Sequence, residues 1–123
     1  MKSLEAFKAI FVSDSEAQKI GLKLRAIVVN CFPEAEEAII GGARVKLALY
    51  SRNGTNNVLC GIQQAINDTC MLYVHYVDNI NHERLKFSGK GKYAKRIKFK
   101  SVNEVIENDV KSLLQRVNKS APF

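Results

Sequence analysis

ARVKLALYSRNGTNNVLCGIQQAINDTCMLYVHYV, residues 43–77, is the stretch that decides the fold class. At its start Val45, Leu47 and Leu49 alternate with Arg44, Lys46 and Ala48, the two-residue period of a strand with one buried face. That period predicts the three aliphatic side chains inward and Arg44 and Lys46 outward. Asn53-Gly54 follows as a hairpin turn, because both residue types tolerate positive φ. Residues 58–66 and 70–77 read as two further strands joined around Asn67-Asp68, too evenly apolar for their faces to be told apart.

Downstream, residues 78–85 read as a loop or short helix. After Gly89-Lys90-Gly91-Lys92, the residues Tyr93, Ile97 and Phe99 alternate with Ala94, Arg96, Lys98 and Lys100, which predicts a fourth strand. Ser101-Val102-Asn103-Glu104 has the capping-box pattern and is expected to open a last helix, with Val105, Ile106, Val110, Leu113, Leu114 and Val117 on its apolar side. Upstream, Ser13-Asp14-Ser15-Glu16 has the same pattern ahead of Ile20, Leu24, Ile27, Val28 and Cys31 at helical spacing. Pro33 disfavours helix at Phe32. Residues 34–40 are expected to add one or two helical turns before Gly41-Gly42, and Leu4, Phe7, Ile10 and Phe11 share one side of a shorter N-terminal helix.

The order helix, four hairpin-linked strands, helix implies an α+β two-layer sandwich. Its sheet is four-stranded and largely antiparallel, with the N- and C-terminal helices on one face and the other face open to water. At 123 residues and 46% hydrophobic composition the chain fits one domain, residues 1–123, with a core that needs no disulfide or metal staple. No apolar run is long enough to span a membrane. Glu5 and Lys8 interrupt any signal-peptide core, so a cytoplasmic location is expected.

The net charge of +7 is unevenly placed. Residues 86–100 carry seven Lys and Arg and no Asp or Glu, and the remaining basic and acidic residues cancel. Strand alternation sets Arg96, Lys98 and Lys100 on one face at intervals of about 6.7 Å. With Arg44 and Lys46 pointing outward in the same way, five cations are expected on the open sheet face. Lys90 and Lys92 sit on a glycine-flanked loop whose amides can approach an anion closely. These seven residues form a candidate anion-binding set, for a small anionic molecule, a nucleic acid or an acidic protein. A solvated face with lysines guarding a sheet edge is the plainer reading. Gly89-Lys90-Gly91-Lys92 is not a P-loop: Lys86 stands where the first glycine belongs, Tyr93 follows Lys92, and a strand follows instead of a helix.

Complete catalytic constellations are missing. Three cysteines (Cys31, Cys60, Cys70) in apolar stretches lack C-x-x-C spacing and read as buried thiols. A neutral turn at Asn67-Asp68 would bring Cys60 nearly opposite His75, but a nucleophile needs an orienting group and an oxyanion site as well. His82 near Asp78 and Glu83 has no metal-ligand spacing. Glu34, Glu36 and Glu37 are the one acidic cluster, readable as hard-cation ligands or as a helix N-terminal turn after Pro33. No cofactor is expected, and the chain reads as a binding or adaptor domain and not an enzyme.

Two segments carry a family resemblance. Pro33-Glu34-Ala35-Glu36-Glu37-Ala38-Ile39 before Gly41-Gly42, and Lys86-Phe87-Ser88-Gly89-Lys90-Gly91-Lys92 before Arg96-Ile97-Lys98, resemble the corresponding segments of YdhG-like domains in order and spacing. The likeness covers roughly residues 5–117. It implies an α/β sandwich of a largely uncharacterised family, some members of which have a frataxin-like role as intracellular iron chaperones. That role depends on a carboxylate-rich surface, which here reduces to Glu34, Glu36 and Glu37 on a basic chain.

Overall fold

The computed structural model describes residues 4–41, 46–54, 56–76 and 94–123. Helices α1 (Leu4–Lys8) and α2 (Glu16–Cys31) precede strands β1 (Glu36–Gly41), β2 (Lys46–Ser51), β3 (Val58–Ala65), β4 (Thr69–His75) and β5 (Ala94–Phe99). A 3₁₀ turn (Val102–Glu104) then leads into α3 (Glu107–Ser120). Each strand pairs antiparallel with the next, in the sheet order β1-β2-β3-β4-β5. The fold is α+β.

The sheet has five strands where four were expected, because the segment after Pro33 is extended and not helical. Ala38, Ile39 and Ile40 pair with Leu49, Ala48 and Leu47, and this ladder outweighs the helix preference of the glutamates. The face assignment of β2 is also reversed. Ala48 and Tyr50 are buried, whereas Leu47 and Leu49 are half-buried on the other side. The register carries that division across the sheet. Ala48 and Tyr50 align with Ile62 and Cys60, these with Leu72 and Val74, and Leu72 with Ile97. All of these residues are buried, so one side of the sheet forms the floor of the core.

Helix α2 crosses that floor with Ile20, Leu24, Ile27 and Val28 buried, and packs on β3 and β4. Helix α3 contributes Val110, Leu113, Leu114 and Val117 and contacts α2 and β4. Phe7, Ile10 and Phe11 complete the cluster, with Phe11 seated on Gly21, where even a methyl group would stand 2.5 Å from the ring. Each such large side chain, taken out of water, stabilises the fold by about 1.5–3 kcal/mol.

Both capping predictions are displaced. The N-cap of α2 is Ser15, whose hydroxyl accepts from Gln18 N at 3.1 Å, two residues beyond the expected Ser13. The first free amides of α2, at Glu16 and Ala17, donate to the Asp68 carboxylate from the β3–β4 turn at 3.2 and 2.9 Å. Asp68 thereby serves as a long-range cap that no local pattern announces. The 101–104 box makes the 3₁₀ turn instead, so α3 starts at Glu107, with Ile106 exposed at its N-cap. Asn53 and Gly54 adopt the positive φ expected of the hairpin turn (59° and 124°).

Candidate anion-binding face

Strand pairing places a mixed aromatic and cationic group on the side of the sheet opposite the core floor. On β4 and β5, Tyr73 aligns with Arg96 and Met71 with Lys98. Ile97 and Phe99 point the other way and are buried, which turns Arg96 and Lys98 outward as the alternation predicted. The Arg96 guanidinium lies over the Tyr73 ring, 5.8 Å from its centre, and the Tyr73 hydroxyl donates to Gln63 Oε1 on β3. Lys98 is exposed and has no ion pair among the described residues. Lys100, just past β5, is exposed, and its backbone N–H donates to Glu104 Oε1. Beside this group, Leu47 and Leu49 lean over Gly61 and remain half-buried.

The five-cation face expected from the sequence does not assemble. Lys46 pairs with Gly41 and has the parity of Ala48 and Tyr50, so it belongs to the opposite side from Arg96 and Lys98. It is also three strands away from β5, about 14 Å across the ladder. The physical reason is the reversed face of β2: Tyr50 turns inward because its hydroxyl finds a buried partner. Lys95, aligned with Val74, is likewise on the core side. Arg44, Lys90 and Lys92 lie outside the described residues. Of the seven candidates, the structure therefore sets Arg96 and Lys98 on one side of the sheet, with Lys100 exposed just past the same strand.

The three glutamates of the candidate metal set diverge. Glu34 is in the turn before β1 and pairs with Arg52 at 3.2 Å. Glu36 and Glu37 are consecutive in β1 and face opposite sides, Glu36 exposed and Glu37 buried. Glu37 is committed to a network that the sequence did not reveal. Its Oε2 accepts from Arg25 Nε at 2.8 Å and from the Tyr50 hydroxyl at 2.5 Å, and its Oε1 accepts from Arg25 Nη2 at 3.2 Å. Burial, reinforced by the bond to Glu37, pushes the Tyr50 hydroxyl far above its ordinary pKa and keeps it a donor. The network borders a small cleft of about 120 Å³, whose walls are Val29, Phe32, Pro33 and Ala35. Every oxygen of Glu37 is already bonded, and no group of three or more metal-ligating side chains exists among the described residues.

Cys60 aligns with Val74, not with His75, so the thiol and the imidazole occupy opposite sides of the sheet. Burial raises the pKa of the Cys60 thiol and pushes Cys70 up to about 12, which leaves both as inert core groups. Half-buried His75 has its pKa lowered by desolvation. His82 lies outside the described residues. No helix among the described residues is long and apolar enough to cross a membrane. Compared with family models, with curated proteins and with solved structures, the chain matches none.

Proposed function

We propose that this chain is a small, non-enzymatic cytoplasmic binding domain that holds an anionic partner on the β4–β5 side of its sheet. In this reading the fold is a two-layer sandwich of the YdhG-like type. Both long helices cover the core floor, leaving the face of Tyr73, Arg96 and Lys98 for the partner. The observation that carries it is the register: it sets Arg96 and Lys98 beside a half-buried tyrosine, opposite the fully buried floor, with exposed Lys100 just past the strand. The order helix, strands, helix supports the family resemblance. The iron-chaperone alternative receives no support from Glu34, Glu36 and Glu37, which engage Arg52, solvent and the Arg25–Tyr50 pair respectively.

Retention on immobilised heparin tests the reading. Lys98→Glu/Lys100→Glu should elute at clearly lower salt than Lys19→Glu/Lys23→Glu, which makes the same change in net charge on the exposed side of α2. Equal elution of the two variants would mean that only total charge matters, and would remove the site.

A further inference from the structure

Resting on that reading, we infer that the anionic partner is a single-stranded nucleic acid, with unpaired bases against Tyr73 and its apolar neighbours and phosphates on the β5 lysines. The case lies in how chemistry changes across the sheet. Half-buried Leu47 and Leu49 on β2 lean over Gly61 on β3 and form a low apolar floor. Next come half-buried Met71 and Tyr73 on β4, with the Arg96 guanidinium carbon over the tyrosine ring, 5.8 Å from its centre. Lys98 follows on β5, with exposed Lys100 two residues on, just past the end of the strand.

A bare polyanion would use the lysines and gain nothing from the floor. An acidic peptide would use them too, with no call for a half-buried tyrosine ring beneath an arginine. A nucleic acid strand uses both zones, because each nucleotide joins an apolar π-face to a phosphate. Single strands are favoured over duplex by shape. Duplex readout needs an element that enters a groove, whereas the described residues on this side of the sheet belong to strands or directly follow one, a surface against which splayed bases can lie. Gln63, held by the Tyr73 hydroxyl, adds a polar group to the same floor.

Fluorescence anisotropy with the full chain and a labelled oligouridylate 12-mer tests this, with the matching duplex and long-chain inorganic polyphosphate as comparison ligands. The single strand should bind more tightly than the duplex. Tyr73→Leu should weaken the single strand about tenfold and change polyphosphate binding less than twofold. Tyr73→Phe, which keeps the ring, should stay within about twofold for both ligands, by the same stacking argument. Lys98→Gln/Lys100→Gln should weaken both ligands and reduce the log–log salt slope for the single strand by about 1.4, at about 0.7 per phosphate. The unmodified protein supplies an independent readout: with no Trp and four Tyr, its tyrosine emission should be quenched by the oligonucleotide but not by polyphosphate.

Polyphosphate and oligonucleotide binding that are equally indifferent to Tyr73, without quenching, would overturn the nucleic-acid assignment and leave the anion site standing. Duplex binding as tight as single-strand binding would overturn it too. No binding of any of the three ligands at 50 mM salt would overturn both.

Discussion

Replacing Glu37 by Leu would leave the Arg25 guanidinium in the core without its counter-charge and deprive the Tyr50 hydroxyl of its acceptor. The Glu37 side chain is 1% exposed and that of Arg25 11%, so water can rescue little of either loss. Breaking a buried pair in this way costs about 3–5 kcal/mol. Stacking of Arg25 on the Phe7 ring, 5.4 Å away, puts the expected value toward the lower end. The unfolding entropy of a 123-residue chain is about 0.26 kcal/mol/K, so Tm should fall by about 12–19 °C. Glu37→Gln keeps the shape and one acceptor but also removes the counter-charge, so it should cost less than Glu37→Leu without restoring the parent's stability. The triple variant Arg25→Met/Glu37→Leu/Tyr50→Phe removes these three polar side chains together and should return to within about 1 kcal/mol of the parent. Urea denaturation followed by circular dichroism measures all three. A cost below about 1 kcal/mol for Glu37→Leu, or a triple variant as unstable as the single one, would refute the reasoning that these three side chains compensate one another.

Gly21→Ala should destabilise by about 1–3 kcal/mol through the clash with Phe11, despite a helix-propensity gain near 1 kcal/mol; an unchanged urea midpoint would show that Phe11 is not seated on α2. Asp68→Ala should cost about 1–2 kcal/mol by freeing the amides of Glu16 and Ala17. Asp68→Asn, which tolerates the φ of 56° and keeps an acceptor, should cost less than half of that in the same assay. In alkali, Tyr50 resists ionisation in the folded state but ionises near pH 10 once unfolded. Its contribution to stability is therefore full below pH 10 and is lost as pH rises above it. Urea midpoints between pH 9 and 11.5 should fall less steeply in Tyr50→Phe than in the parent.

Strand existence was legible wherever apolar residues alternated or a turn residue punctuated the chain, as at Asn53-Gly54 and through Ile97 and Phe99. Choosing faces was harder. Leu47 and Leu49 are more apolar than Ala48 and Tyr50, yet the latter pair is inside, where Ala48 aligns with buried Ile62 and Tyr50 meets Glu37. Strand β1 was hidden for a related reason: two adjacent glutamates suggest a helix turn unless the partner that buries one of them is known. The run Ala38-Ile39-Ile40 ahead of Gly41-Gly42 was the available signal for a hairpin strand. Nothing near Glu16 in sequence points to Asp68, 52 residues away, as its cap. For the proposed site, the outward direction of Arg96 and Lys98 was readable from alternation alone, whereas the position of Tyr73 beside them depended on a register that only the assembled sheet defines.

The central claim is that an anionic partner sits on the β4–β5 side. Amide chemical-shift mapping during titration with long-chain inorganic polyphosphate tests it most directly. The account predicts changes concentrated at Met71, Tyr73, Arg96, Lys98 and Lys100, fading as salt rises, with Lys19 and Lys23 on α2 unmoved. Changes centred on the helices, or spread evenly over every exposed lysine, would contradict it.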